Sequence, residues 1–353
     1  MREAVSVLAK KGFITGSKFI LDATDLPTTK RFKGCGVKKK VEKKKDKDGK
    51  EIEVVEYIYG FKLLVLMEAK SKIIVAAKVV KINEHESQFT MEMIREAQRN
   101  IGSNVKIKRL LIDRGFIDGV TLWKLKKEGI HFIIPVRGNM DIAKDIRGFR
   151  DEKADGERIF CEESKEVKAV GVKGLLSYDQ FGDELHQKKR NRADFKTNPI
   201  NAVMVIYWDG KEIERGKEKV FITDLPVNEP LNILSDYDLR STIENQGFRE
   251  LKQGYYLLSF PQKNKNAVTS HCILTLIIFS FVNAYRTKEG RELAEKGIRR
   301  WREKQMGDSI HKMIVYYDGI YGIVDVEELF YIMGMTPKEL FRLKPERFKS
   351  EIE

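Results

Sequence analysis

The chain has 353 residues, 42% hydrophobic and 10% aromatic, enough for one large domain with an insertion or for two to three smaller ones. Its 66 Lys and Arg outweigh 53 Asp and Glu, giving a formal charge of +13. That balance favours nucleic acid or another anionic surface as partner and says nothing about fold. The three cysteines, Cys35, Cys161 and Cys272, stand far apart without C-x2-C spacing, which argues against a disulfide framework or a zinc site and points to a reducing, cytoplasmic setting. Residues 1–11 lack the apolar core of a signal peptide. The most apolar run, 267–285, is broken by Ser270, His271, Thr275, Ser280 and Asn283, so it reads as a buried helix, with no membrane partner.

In chain order, residues 18–24 form a short run of strand formers that ends on Asp22. Residues 30–50 then hold eleven Lys and Arg against three acids, with Gly34, Gly36 and Gly49. This stretch reads as a solvated loop, and as an arm it would neutralise phosphates. Residues 57–67 and 72–80 are apolar, β-branched runs joined by a turn at 68–71, the pattern of an antiparallel hairpin. Helical period follows at 83–100, then a strand at 106–113 that delivers Asp113 at its end. A helix at 118–129 and a buried strand at 130–136 complete this part. The order β-β-β-α-β-α-β, with acids at two strand ends, is that of a ribonuclease-H-like fold: a mixed central sheet flanked by helices.

From 139 to 230 the texture changes to strands at 165–172, 202–208 and 219–225, separated by charged loops, and reads as a β-rich insertion. Helix resumes over 231–257, followed by the apolar helix and a basic amphipathic helix at 289–304, with a short helical segment at 325–332 in the tail. The expected organisation is therefore 1–138 as the first part of a catalytic domain with a basic loop at 28–50, and 139–230 as the insertion. Residues 231–288 complete the catalytic domain, and 289–353 form a basic C-terminal helical region. The five histidines show no ligand spacing, and no P-loop or dinucleotide fingerprint occurs. Trp208, in an apolar strand run, reads as core.

Residues 236–253 focus the chemistry. Tyr237, Arg240 and Glu244 are spaced i, i+3, i+7, so on a helix they share one face. Two strand-end aspartates, Asp22 and Asp113, and the helix acid Glu244 can converge on a pair of divalent ions. Phosphodiester chemistry uses such a pair about 3.5–4 Å apart, one ion activating the attacking hydroxyl and the other stabilising the departing oxygen. Oxygen ligands of this kind suit Mg²⁺.

The ordered set of motifs resembles the insertion-sequence transposases of the Asp-Asp-Glu class, in the subgroup marked by a Tyr-x2-Arg-x3-Glu-x6-Lys helix. Tyr237, Arg240 and Glu244 match that signature, Leu-Ile-Asp113-Arg-Gly-Phe resembles the second-aspartate motif, and Leu21-Asp22-Ala-Thr resembles the first. Tyr59-Gly-Phe-Lys62 and Asn83-Glu-His-Glu86 also resemble family sequence. The resemblance spans roughly 18–285. It implies that Asp22, Asp113 and Glu244 ligate two Mg²⁺ or Mn²⁺ ions, that Arg240 and Lys252 contact phosphates, and that Tyr237 meets the transposon end. The reaction implied is hydrolysis at the ends of the element, then attack of the freed 3′-hydroxyl on target DNA. Its partner is double-stranded DNA, with a homodimer joining two ends.

The signature's lysine should fall seven residues after Glu244, where this chain has Leu251; Lys252 is eighth. On a regular helix Leu251 lies about 20° and Lys252 about 80° from Glu244. Gly247 predicts a π-bulge that takes up one residue and restores the face. The first catalytic strand begins only about 18 residues in, so end recognition is expected in the 30–50 arm and in the 289–304 helix, where Arg299 and Arg300 flank Trp301. Two alternatives are a transposase-derived protein that binds DNA without cutting it and a ribonuclease-H-like nuclease without strand transfer.

Overall fold

The computed structural model describes residues 1–45, 51–103, 105–149, 155–164, 167–178, 198–207, 218–295, 312–317 and 320–325. Trp208, Arg299, Arg300 and Trp301 lie outside the described residues. So do 326–332, most of the helix expected in the tail; Asp325 itself ends a strand. The chain divides into two compact units, Met1–Tyr285 and Arg286–Glu353.

In the first unit, β1 (Phe19–Thr28) lies between antiparallel β3 (Glu51–Glu68) and parallel β5 (Arg109–Ile112). Beyond β3 comes antiparallel β4 (Ile74–Lys81), and beyond β5 comes parallel β6 (His131–Pro135). This β4-β3-β1-β5-β6 order is the mixed sheet of a ribonuclease-H-like fold.

Strand alternation divides the core in two, because successive side chains leave opposite faces of a sheet. Phe19, Leu21, Leu110, Ile112, Phe132 and Ile134 face a layer built from α1 (Arg2–Lys10), α2 (Thr90–Ile101), α3 (Gly119–Lys127) and α4 (Asp141–Gly148). Ile20, Leu63, Val65, Leu111 and Ile133 face the other way, toward Ile243, Leu251, Val268, Cys272, Leu276 and Phe279. Those partners belong to the helical stretch from α5 (Pro230–Asp238) through α6 (Arg249–Gln253) and to α7 (Lys265–Glu295). Parity places Asp22 on the face of Ile20, beneath this second layer.

Four features go beyond or differ from the sequence-based expectation. The β-rich insertion continues the central sheet: β10 (Glu218–Thr223) pairs antiparallel with β6, and β9 (Ile200–Tyr207), β8 (Val167–Leu175) and β7 (Ile159–Glu163) extend the same sheet. A strand's partner is a long-range property that local periodicity does not carry. Second, β1 does not end on Asp22 but runs to Thr28, because β3 goes on pairing with it after β5 has stopped.

Third, the basic stretch is not a loop over its middle. Residues 36–45 form β2 (Gly36–Lys45), paired from Gly36↔Gly60 to Lys45↔Glu51 with the amino-terminal half of β3. Valines at 37 and 41 and the β-branched residues across the register supply strand propensity that the lysines hide. Fourth, the apolar and basic helices are continuous from Lys265 to Glu295. Over Lys265–Lys288 this helix is long and apolar enough to cross a membrane by length and composition alone. One of its faces is buried in the second core, while Leu274, Ile278, Phe281 and Tyr285 are exposed. In the second unit, Lys312–Tyr317 and Ile320–Asp325 form an antiparallel hairpin absent from the sequence reading.

Candidate active site

The two aspartates meet where β1 and β5 part. Pairing ends at Leu21↔Ile112, and the Asp113 amide donates to the Leu21 carbonyl across 3.2 Å. Asp22 and Asp113 are therefore the next residues on adjacent strands. Asp113 opens a tight turn, its Oδ2 accepting the Gly115 amide at 3.2 Å. The second layer brings the third acid. Helix α5 is anchored at the start of the same strands by Asp236, which binds Lys18 Nζ at 2.6 Å and also Arg109. One turn later Arg240 lies at the carboxyl ends.

There a single guanidinium nitrogen collects all three acids. Arg240 Nη2 lies 2.8 Å from Asp22 Oδ2, 3.1 Å from Asp113 Oδ1 and 2.9 Å from Glu244 Oε1. Their exposures are graded: the side chain of Asp22 is 6% exposed and that of Arg240 17%, while Glu244 at 55% faces water. Burial dominates the Asp22 carboxyl and lifts it from 3.8 to about 6; Arg240 opposes that rise, and Asp113 and Glu244 add to it. Burial alone would weaken the Arg240 cation, yet Asp22, Tyr237, Asp113 and Glu244 together hold its pKa above the ordinary value. Three acids this close need a cation between them.

The expected π-bulge is present. Ile243–Phe248 is a π-helical segment, and the Arg249 amide bonds to the Glu244 carbonyl five residues back. The turns just before it are tight, with the Arg240, Thr242 and Ile243 amides each bonding three residues back. A Cβ on Gly247 would lie 3.3 Å from Ile243 Cγ1 and 3.7 Å from the Met67 sulfur. The glycine thus lets the wide turn sit close on β3. Beyond it Leu251 enters the core, while Lys252 is half-buried, its pKa lowered by burial against the opposing pull of Asp25. With one residue absorbed by the bulge, Lys252 falls about 20° from Glu244 instead of about 80°.

Tyr237 and the two acids that follow Asp22 and Asp113 in sequence, Asp25 and Asp118, lie as follows. Tyr237 packs its ring on Phe221, centroids 4.9 Å apart, and points its hydroxyl at the Ile112 carbonyl across 3.5 Å, so here it supports the Asp113 strand end. Burial raises its pKa. Asp25 pairs with Lys38 at 3.5 Å, and Asp118 accepts from Thr121 at 2.5 Å next to α3; neither meets Arg240.

One neighbour had no role in the sequence reading. Buried Lys62 bonds Glu86 Oε1 at 2.5 Å and the Glu84 carbonyl at 3.2 Å. Glu86 Oε2 and Asp113 Oδ2 are both 3.4 Å from the point where a Gly115 Cβ would stand. A lysine inside the apolar run Phe-Lys-Leu-Leu-Val was the available signal.

As they stand, no three acid, histidine or cysteine side chains among the described residues form a cage for a metal ion. The common point of Asp22, Asp113 and Glu244 is held instead by Arg240. The donors nevertheless fit a hard divalent cation: all are carboxylate oxygens, they converge on one point now held by a cation, and Glu244 opens to solvent.

The strand order is that of a ribonuclease-H-like fold, and Asp22, Asp113 and Glu244 meet at Arg240 on one face of its sheet. Residues 15–281 match the family of the transposase DDE domain, and the chain belongs to that family. No curated protein matches it. Among solved structures the chain is similar to a piggyBac transposase in a synaptic complex with hairpin DNA, at 13% identity and a TM-score of 0.40. That similarity covers 82% of this chain and 50% of the other, so the chain spans half the length of that transposase.

Proposed function

We propose that this protein is a DNA transposase that hydrolyses the phosphodiester bond at the ends of a mobile element and joins the freed 3′-hydroxyl to target DNA. The observation that carries the reading is the convergence of Asp22, Asp113 and Glu244 on one guanidinium nitrogen, in a chain of this family. Asp22, Asp113 and Glu244 would hold two Mg²⁺ or Mn²⁺ ions, which when bound activate the attacking oxygen and stabilise the leaving one.

The chain's own residues do the rest. Arg240 neutralises the three acids in this structure, and with metal ions bound to them its guanidinium would be available to a phosphate. Lys252 offers a second cation on the same face, and burial keeps it weakly hydrated. Tyr237 holds the Asp113 strand end from behind. Double-stranded DNA is the substrate, and joining two ends calls for a homodimer.

The test is incubation of labelled element ends with Mg²⁺ or Mn²⁺. The wild type should nick and join, and Glu244→Gln should do neither. Equal nicking by the two proteins ends the enzyme reading, and nicking without joining supports a nuclease.

A further inference from the structure

The ribbon of β2 with the amino-terminal half of β3 has no part in either core. Strand β3 is 18 residues long, but β1 pairs with it only over 59–68 and β4 only over 61–67. Residues 51–58 therefore pair with β2 alone among the described residues. None of residues 36–41 and 53–59 belongs to the buried hydrophobic core. A bare two-stranded ribbon is marginal in water, and this one turns apolar groups outward. Val37, Val41, Val55 and Tyr57 are each more than two-fifths exposed, Tyr57 the most at 59%. Register and alternation place them on one face, where Val41 opposes Val55 and Tyr57 opposes Lys39.

We propose that this ribbon is a duplex-DNA-binding element that lies in a groove beside the catalytic acids; the proposal rests on the DNA reading above. Charge selects the partner. Six of the ten residues of β2 are lysine and one is acidic, so the outer strand is cationic; Glu56, Glu53 and Glu51 stand opposite Lys40, Lys43 and Lys45 on the inner strand, and the ribbon keeps a net positive charge. A second copy docking on this edge would set lysine against lysine. DNA complements it: the major groove admits a two-stranded β-ribbon, lysines take the phosphates, and apolar side chains meet thymine methyl groups.

The dimensions agree. At about 3.3 Å per residue, ten residues reach roughly 33 Å, about one turn of duplex. The ribbon leaves the sheet at Thr28↔Tyr59, on the strand that carries Asp22. A duplex held along it passes the acids.

The test uses the full chain and a labelled 30-base-pair duplex of mixed sequence, with anisotropy followed across salt concentration. Replacing Lys38, Lys39 and Lys40 together by Gln should weaken binding at least tenfold at 0.1 M salt. It should also flatten the log–log salt slope by about 1 to 3, since each neutralised phosphate contributes about 0.9. Tyr57→Ala should weaken binding with the slope unchanged, and replacing the three lysines by Arg should restore it. Thermal unfolding should stay close to the wild type in every variant, since none of these side chains is in a core and the Lys38–Asp25 pair is exposed. Wild-type affinity and slope in the Gln variant would overturn the ribbon while leaving the transposase reading intact. Loss of self-association in Tyr57→Ala, with DNA affinity unchanged, would overturn it in favour of a protein contact. A wild type that binds no duplex would overturn both readings.

Discussion

Arg240 and Asp22 are joined across 2.8 Å, a largely buried cation against a buried carboxylate, at the point where three acids converge. Removing one partner of such a pair costs about 3–5 kcal/mol because the other is left charged out of water. Arg240→Gln should therefore unfold more easily in EDTA. It should also bind Mn²⁺ more tightly by calorimetry, since the ion no longer displaces a guanidinium. Equal or weaker Mn²⁺ binding would show that Arg240 and metal do not compete.

Asp22 makes the stability of the metal-free protein depend on pH. Its carboxyl titrates at about 6 when folded against 3.8 when free, so between these values the folded state holds more proton than the unfolded. Stability therefore falls as pH rises through that window, by about 3 kcal/mol in all. Denaturant titrations in EDTA should show the decline in the wild type and its loss in Asp22→Asn. That variant should also fail to nick DNA. A wild type equally stable at pH 4 and pH 7 would contradict the buried, proton-holding carboxyl.

The wide turn at 243–248 is one residue more than a regular helix needs. Deleting Gly247 should let the turn close to ordinary helical bonding while keeping Glu244 and Lys252 on one face, now seven apart. Cooperative unfolding and detectable nicking should survive the deletion. Deleting Leu251, which is buried in the core, should abolish folding. Equal damage from the two deletions, seen by circular dichroism melts, would count against the bulge as an absorbed insertion.

Lys62 and Glu86 should behave as one unit. Lys62→Met strands the Glu86 carboxylate beside Asp113 and should cost about 3 kcal/mol. The double variant with Glu86→Gln should recover much of that loss, so urea midpoints should not add. Additive losses would mean that the two side chains act independently.

The acids were legible because each sits in a recognisable motif, and the wide turn because a lysine arrived one residue late beyond a glycine. Arg240 illustrates the limit. Its position on the face of Glu244 followed from spacing, but its bridging of two strand ends depends on how α5 crosses the sheet, which Asp236 fixes through Lys18 and Arg109. The same limit hid the run of strands from β10 to β7 beyond β6, since alternation shows that a segment is a strand and not which edge it joins. Strand β2 was missed for another reason: lysines at six of its ten positions mask the valines that mark the period.

Gly60 sits where β3 passes from the sheet into the ribbon, opposite Gly36. A Cβ there would fall 2.4 Å from the Leu26 carbonyl, so no other residue fits without prising β1 from β3. On one side of this waist Phe61, Leu63 and Val65 of β3 are buried in the second core; on the other, Val55 and Tyr57 are exposed. Insertions or deletions in matched pairs beyond Gly60 can lengthen or shorten the protein's reach along a bound molecule while leaving the chemistry untouched. On the proposed function, one strand would let evolution tune reach and catalysis independently.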